Sequence, residues 1–499
     1  MPPLSLLLRS VTEPFHGDSV TPQALYSTVL LVVYLLVMVA LAAYGRSKTR
    51  GVSDYYIGGR SLGGVALGLS FFATYASTNS YLGFSGKAYT HGVAWLLLVP
   101  FAVGLSLLAW VFVAPALRRM TGSSSSLTLP ELLGHRFDSR AVRTTSALIV
   151  LVASVLYMTA VYKGIGNLFE SLLGLSYPQA IGLVLVIVVL YTSVGGFHSV
   201  VRTDVVQALL MIVAAVLLHA TLVRAAGGYG SLQALGDSES TARLLATDTA
   251  MPLSLLLGVL FATTVKFVVE PRQLSRFFAL SDPREARKGV VVSTLAFLVV
   301  FSLLAPLGLF AHRLQLSVED SDRVIPELLA RPELFSPLVA SLLLLAMLSA
   351  AMSSLDSVLL VLASSFQRDL VESLLESRAK DSQRIRATRV AVVVFALITA
   401  AVALRPPAGI VELTAFSGAL YGACFLPAVL LGLHWRRGTA AGVLASIAAG
   451  IGVLLGWPRL SWAETVHPVF PAIAASTLAY GSIALASRRS YTLELPEGE

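Results

Sequence analysis

Apolar runs of about 20 residues recur along this chain, and each run is long enough to cross the ~30 Å hydrocarbon core of a bilayer. Apolar residues make up 56% of the 499 positions and charged residues only 13%, too few to cover the surface of a soluble protein. We therefore predict an all-α, polytopic protein embedded in a lipid bilayer. Thirteen transmembrane helices are expected, at residues 25–45, 61–88, 93–117, 141–172, 177–195, 199–223, 251–271, 286–311, 337–368, 387–404, 409–434, 439–457 and 468–487.

The basic residues are distributed unevenly among the loops. With the N-terminus outside, 25 of the 36 Lys and Arg residues fall in cytoplasmic segments and 8 outside, while Lys87, Lys163 and Lys266 lie within spans. This bias follows the positive-inside rule. It predicts a multi-pass protein of the plasma (inner) membrane with its N-terminus outside and its C-terminus cytoplasmic, and it explains the basic loops without a nucleic-acid partner.

The order of the spans indicates an internal repeat. Spans two to six and seven to eleven form two blocks of five, residues 61–223 and 251–434. An odd number of spans gives the blocks opposite topology, as in inverted-repeat transporters. The remaining helices are one N-terminal helix at 25–45 and two C-terminal helices within 439–487, in a single transporter domain over residues 1–499. In such folds the first helix of each block is broken near the midplane, which here means 61–88 and 251–271.

Residues 73–80, ATYASTNS, form a poor lipid-facing surface. Small and polar residues allow a helix to unwind where neighbouring helices satisfy its backbone. Close packing of helices through small residues is the alternative interpretation.

A second polar stripe runs through the apolar span 337–368. At 100° per residue, Ser349, Ser353, Asp356, Ser357 and Ser364 fall within a roughly 100° arc of the helix. Such a stripe either hydrogen-bonds a partner helix or binds a hard cation through oxygen ligands. The second interpretation would use the hydroxyls of Ser353 and Ser354 and three carbonyl groups, those of Ala350, Ala73 and Ala76.

Four motifs resemble the sodium/solute symporter family: DYYIGGRSLGG at 54–64, LYTSVGGFHSVVRTDVVQA at 190–208, EPRQLSRFFA at 270–279 and AAMSSLDS at 350–357. Two further stretches, 405–435 and 467–476, are similar to its sodium/pantothenate permease branch. The resemblance implies sodium-coupled uptake by alternating access, with Na+ held by the carbonyls of Ala73, Ala76 and Ala350 and the hydroxyls of Ser353 and Ser354.

The resemblance assigns a role to one of two intramembrane aspartates and leaves the role of the other open. Asp204 matches an aspartate linked in the family to sodium coupling, and a solvated cap at a cytoplasmic helix start is the alternative. Asp356 either contributes to a second cation site or makes a hydrogen bond that orients its helix.

The resemblance places the solute against the two broken helices. The implied substrate-binding residues are Tyr75, Ser77, Thr78, Asn79, Thr263, Thr264 and Phe267. Tyr75 stands where proline-transporting relatives carry an aspartate, which disfavours proline.

Lys266 departs from the family pattern, and we include it among the substrate-binding residues. It binds a substrate carboxylate, replaces an ion, or pairs with Glu270 four residues later. Lys163 is a second intramembrane lysine, which either reaches the cavity or extends to the membrane interface.

The resemblance therefore predicts a sodium-coupled symporter of a small, anionic organic solute, a pantothenate-like or monocarboxylate-like molecule. A proton-coupled or uncoupled transporter and a transporter-like membrane sensor are the alternatives, and no kinase or ATPase segment is seen up to Glu499. His198, His219 and His312 are scattered at span ends, which argues against an enzyme. The sequence gives no indication of the oligomeric state.

Overall fold

The computed structural model describes residues 22–124, 126–192, 195–246, 251–375 and 380–487. Within these ranges the chain is helical, and its only β-type pairing is one isolated parallel bridge between Leu62 and Leu280. The α-helices are Pro22–Lys48, Val52–Ile57, Gly64–Tyr75, Phe84–His91, Leu98–Leu108, Ala114–Ser124, Leu129–Arg136, Arg140–Leu173, Tyr177–Thr192, Phe197–Ala225, Glu239–Ala242, Leu253–Thr264, Lys266–Val269, Pro271–Phe278, Ala286–Leu304, Leu307–Arg313, Val324–Leu329, Pro337–Ser365, Ser373–Leu375, Asp381–Ala403, Ile410–His434, Ala440–Gly456 and Val469–Ala486.

The helices confirm the predicted fold class. Among the described residues, 11 helical segments are long and apolar enough to cross a membrane, and Gly64–Tyr75 and Tyr177–Leu190 are shorter apolar helices. The predicted total of thirteen spans and the predicted domain boundaries stay predictions. Of the YTSVGGF motif, Ser193 and Val194 lie outside the described residues.

The helix that opens the first block is interrupted. We call residues 64–91 the first broken helix: it runs from Gly64 to Tyr75, leaves helical geometry at Ala76 (ψ 88°), and resumes through a π-helical turn, Asn79–Gly83. No proline causes this break. Instead, the Ser77 hydroxyl accepts a hydrogen bond from the Asn79 amide at 3.2 Å, the local side-chain competition that ends helices at serine.

The helix that opens the second block is also interrupted. We call residues 253–278 the second broken helix, which extends seven residues beyond the predicted end at 271. Its main break is at Glu270, which has an extended conformation (ψ 126°) because Pro271 follows it. The start of the first broken helix and the end of the second are joined at Leu62 and Leu280, so the two helices run in opposite directions.

The polar stripe lies on the most deeply buried span. We call Pro337–Ser365 the serine helix; it packs against Arg140–Leu173, Phe197–Ala225 and the first broken helix. It continues into a π-helical turn, Phe366–Glu372. All of its serines and its aspartate therefore face other helices rather than lipid.

A network of ion pairs fixes the end of the serine helix that is predicted to be cytoplasmic. Asp369 is fully buried and accepts hydrogen bonds from the Thr128 hydroxyl and from Arg143 Nε, both at 2.8 Å. Arg368 Nε donates to Glu131 at 2.7 Å. These contacts connect the serine helix to the short helix Leu129–Arg136.

Candidate functional site

Uncharged oxygens from two helices meet where the first broken helix unwinds. The Ser353 hydroxyl lies 2.8 Å from the Ala73 carbonyl oxygen and 3.0 Å from that of Ala350. The Ser354 hydroxyl donates to the Thr74 carbonyl at 2.9 Å. We call the carbonyl oxygens of Ala73 and Ala350 and the hydroxyls of Ser353 and Ser354 the oxygen cluster, and all four residues are fully buried.

The structure brings three of the five predicted sodium ligands into direct contact, Ala73, Ala350 and Ser353, while the fourth, Ser354, bonds to the carbonyl of Thr74, the residue after Ala73. The fifth, Ala76, is fully buried at the break itself, three residues after Ala73. Neutral hydroxyl and carbonyl oxygens suit a hard cation, whereas zinc or iron requires nitrogen, sulfur or several carboxylates. No group of three or more His, Cys, Asp or Glu residues that could hold a metal occurs in the described part of the chain.

Asp204 is fully buried beside this cluster, so its interpretation as a solvated helix cap is wrong. Its Oδ2 atom lies 2.9 Å from Arg276 Nη2 and accepts hydrogen bonds from the hydroxyls of Ser70 at 2.5 Å and Thr74 at 3.3 Å. Arg276 Nη2 also donates to the Ser357 and Thr74 hydroxyls, each at 2.6 Å. This network joins the first broken helix, the second broken helix and the serine helix.

Asp356 lies on the same stripe but contacts a different helix. Its Oδ1 atom accepts a hydrogen bond from the Thr192 hydroxyl at 3.3 Å. This contact corresponds to the second of the two roles predicted for Asp356, a hydrogen bond that orients the serine helix.

Lys266 is fully buried, and its ammonium group makes no hydrogen bond or ion pair with the described residues. It lies instead over two aromatic rings, 4.3 Å from the Tyr157 centroid and 6.0 Å from the Tyr75 centroid. The predicted pairing with Glu270 is not observed, because Glu270 Oε1 lies 2.8 Å from Arg272 Nε. Cation–π contacts compensate part of the cost of burying an ammonium group but supply no counter-charge.

Other predicted substrate residues surround Lys266. The Tyr75 ring stacks on Phe267, with centroids 4.0 Å apart, and its hydroxyl donates to the Thr263 carbonyl at 2.9 Å. The hydroxyls of Thr263 and Thr264 bond to carbonyls one turn back in their own helix, at 2.8 and 2.7 Å. Tyr75, Phe267 and the turn that carries Thr263 therefore form one aromatic and polar wall beside Lys266.

The other three predicted substrate residues make contacts within the first broken helix or with another helix. The Ser77 hydroxyl bonds to the Asn79 amide within the break. Thr78 packs against Gly164, where a Cβ atom would lie 2.6 Å from the Thr78 Oγ1 atom. The Asn79 side-chain oxygen lies beside Gly83 of its own helix, 2.4 Å from the position of a Cβ atom there.

Two residues of this region were missed by sequence reasoning. The Tyr157 hydroxyl donates to the Ser354 hydroxyl at 3.3 Å, and its ring lies 4.0 Å from the Arg272 guanidinium as well as under Lys266. Arg272 Nη1 donates to the Thr74 carbonyl at 2.8 Å. A single tyrosine in a long apolar helix gives no recognisable pattern, whereas an arginine that follows a helix-breaking Glu-Pro pair is a signal that could have been used.

Lys163 does not reach this region. Its ammonium lies 2.7 Å from Asp322 and 3.6 Å from Asp320, in the loop that precedes the serine helix. Burial raises the pKa of the Asp322 carboxyl, an effect that the neighbouring ammonium opposes. Lys163 therefore fixes a loop, and its predicted alternative role in the solute cavity is not supported.

The family model described as "Sodium:solute symporter family" matches residues 55–450, most of this chain. The chain therefore belongs to the sodium:solute symporter family. Similar proteins include the osmoregulated proline transporter OpuE of Bacillus subtilis, 30% identical over 92% of this chain and 94% of the relative. The sodium/pantothenate symporter of Haemophilus influenzae is 29% identical over 90% of this chain and 94% of that protein. These two identity values are too similar to indicate whether this chain is more closely related to a proline transporter or to a pantothenate transporter.

Solved structures share the fold. A Na+-coupled sialic acid symporter in a substrate-bound outward-open state matches with a TM-score of 0.82 at 19% identity, covering 94% of this chain and 99% of that one. The inward-facing conformation of Mhp1 matches with a TM-score of 0.55 at 13% identity, covering 85% of this chain and 92% of Mhp1. These relatives and structural neighbours are transporters rather than enzymes, which agrees with the prediction from the sequence.

Proposed function

We propose that this protein imports a small organic anion together with Na+ by alternating access, and that Na+ binds at the oxygen cluster with the Ala76 carbonyl as a further ligand. One observation carries the proposal: the Ser353 hydroxyl lies within hydrogen-bond distance of the carbonyls of both Ala73 and Ala350. A bound ion would take the place of these hydrogen bonds and draw the same oxygens around itself. Membership of a sodium-coupled family supports this assignment.

The anionic class of solute is proposed from Lys266. A buried ammonium without a counter-charge is costly, and a carboxylate that enters beside Tyr75 and Phe267 would neutralise it. The named relatives support a carboxylate, because proline and pantothenate both carry one. The stacked rings of Tyr75 and Phe267 would then contact the apolar part of the solute.

Asp204 and Arg276 are proposed to couple Na+ binding at the oxygen cluster to solute binding beside Lys266. Their network includes Thr74, whose carbonyl accepts from Ser354 of the oxygen cluster and from Arg272 of the second broken helix. If the first broken helix shifts when Na+ binds, the Thr74 carbonyl would move and change the position of Arg272, which lies two residues from the Glu270 break. The proposed location is the inner membrane, with the N-terminus outside and the C-terminus cytoplasmic.

Uptake into proteoliposomes tests the proposal. Labelled monocarboxylates, including pantothenate, would be offered with an inward gradient of Na+, K+ or choline, with uncharged amides of the same acids as controls. We expect uptake of at least one acid in Na+ alone, because the proposed site consists of neutral oxygens, which suit a small hard cation and are brought together only in the folded protein. Equal uptake rates in the three cations would overturn symport.

The same assay distinguishes sodium-coupled transport from the alternative, proton-coupled or uncoupled transport. Lys266 is the one observation that favours it, since a fixed ammonium could stand in for a transported cation. Uptake that follows an imposed pH gradient and ignores Na+ would then replace the sodium-coupled assignment.

A further inference from the structure

We propose a second, weaker carboxylate site between solution and Lys266, built on Lys87, where the solute is captured before it reaches the central site. This inference rests on the proposed function, because it takes the same class of solute. The site is a cavity of about 200 Å³ on the side predicted to be external, and its walls include Lys87, Trp95, Val259, Glu412 and Phe416. We call this cavity the vestibule.

Lys87 supplies the positive charge of the vestibule. It lies on the outer half of the first broken helix and pairs with Glu412 at 2.5 Å. The Lys87 side chain is 17% exposed and that of Glu412 is 50% exposed, so water and small solutes can reach the pair. An exposed pair of this kind is worth little, and a solute carboxylate can displace Glu412 at small cost.

Trp95 supplies a second, independent indication of a ligand. The residue is 1% exposed, and its indole N–H has no hydrogen-bond partner among the residues that the structure describes. A buried donor without an acceptor is costly, and tryptophan N–H groups are usually paired. A ligand oxygen in the vestibule would satisfy this donor. The remaining walls are mostly apolar, which suits a solute with a short hydrocarbon part.

The vestibule lies directly above the proposed central site. Val259 is one helical turn before Thr263 on the second broken helix, and its carbonyl accepts from the Thr263 hydroxyl at 2.8 Å. On the opposing helix, Ala415 and Ala419 line the vestibule, while Gly418 packs on Lys266, with a Cβ position 3.2 Å from Lys266 Cγ. A carboxylate that leaves Lys87 therefore has Lys266 as the next unpaired cation along the same two helices.

The two partners of the ion pair give opposite predictions, which is the basis of the test. In sodium-driven uptake of the carboxylate that the wild type transports, Lys87→Gln should raise the half-saturating concentration about three- to tenfold. Glu412→Gln should lower it about two- to threefold, because the competing carboxylate is gone. Lys87→Arg should retain most of the wild-type affinity. The half-saturating Na+ concentration and the maximal rate should stay unchanged in all three variants.

The controls separate this inference from the proposed function. Lys288→Gln removes another ion-paired lysine, which is 61% exposed and pairs with Glu285 at 2.6 Å away from the vestibule, and should leave solute affinity unchanged. If the wild type takes up no carboxylate in Na+, the proposed function fails. If it does, and Glu412→Gln and Lys87→Gln both weaken uptake or both leave it unchanged, the pair is structural and the vestibule site is overturned.

Discussion

The two broken helices interrupt the same fold in chemically different ways. At the first, the chain unwinds among alanine, serine and threonine, and its freed carbonyls are satisfied by the neutral hydroxyls of Ser353 and Ser354. At the second, the break is filled by formal charges: Lys266, Glu270 and Arg272, all buried. The first break therefore carries no net charge, and the second has one cation more than it has anions.

Under the proposed function, this difference would place Na+ at the first break and the anionic solute at the second. Na+ would add a positive charge to the site of neutral oxygens, whereas a carboxylate would neutralise the positive charge of the Lys266 ammonium. Charges in a low-dielectric interior interact strongly, so each ligand lowers the cost of binding the other. The charges of the two breaks thus support the proposed co-transport of a cation with an anion, and the following experiments test each part of that comparison.

The largest effect is expected at the Glu270–Arg272 pair of the second break. Glu270→Gln leaves a buried guanidinium without its counter-charge, which costs about 3–5 kcal/mol. Thermal unfolding of the purified protein should therefore occur at a clearly lower temperature. Glu170→Gln is the control, since its partner Arg323 and Glu170 itself are both 37% exposed, and it should change stability little. Equal unfolding temperatures for the two variants would contradict the view that a buried ion pair stabilises this break.

Removal of the Lys266 ammonium should affect solute affinity next. In Lys266→Gln the half-saturating concentration of the carboxylate should rise about 30-fold, equivalent to about 2 kcal/mol for loss of a buried charge partner. The half-saturating Na+ concentration, extrapolated to saturating solute, should remain close to wild type. A shift in cation or pH dependence with unchanged solute affinity would assign Lys266 to ion replacement.

At the first break, Ser353→Ala should weaken Na+ binding with little loss of stability. One oxygen ligand is removed and a small side chain is retained, so the half-saturating Na+ concentration should rise about tenfold, or about 1.4 kcal/mol. Ser364→Ala is a matched control on the same helix, because among the described residues its hydroxyl bonds only to the Val361 carbonyl, at 2.9 Å. If the two variants respond to Na+ alike, the serines are packing residues.

The smallest effect is a gain of stability. Without solute, Lys266→Gln removes a buried charge that has no counter-charge, and unfolding should shift upward by the equivalent of about 1 kcal/mol. The double variant Lys266→Gln/Glu270→Gln should gain a similar increment over Glu270→Gln and stay well below the wild type, because Arg272 still lacks its counter-charge. Recovery of wild-type stability in the double variant would show that Lys266 and Glu270 are partners after all.

The sequence was most informative where the signal was local. The unwound segment around Ala76 and the serine stripe follow from residue size and helical periodicity, and the structure places Ser353 of the stripe against the Ala73 carbonyl just before the break. The partners of the charged residues did not follow. A pair with Lys266, four residues back, was one of three roles left open for that lysine, but the extended backbone of Glu270 directs its carboxylate to Arg272 instead. Lys163 and Asp204 bind groups on distant segments, Asp322 and Arg276, which helical spacing cannot reveal.

The bridge between Leu62 and Leu280 has a mechanical consequence. The Leu62 amide donates to the Ala279 carbonyl at 3.2 Å, and the Ser281 amide donates to the Leu62 carbonyl at 3.0 Å. These two hydrogen bonds tie the beginning of one broken helix to the end of the other through main-chain atoms, independently of side chains. We expect the two broken helices to tilt together during the transport cycle. The proposed Na+ on the first helix and the proposed anion on the second would then change their access from one side of the membrane to the other at the same time.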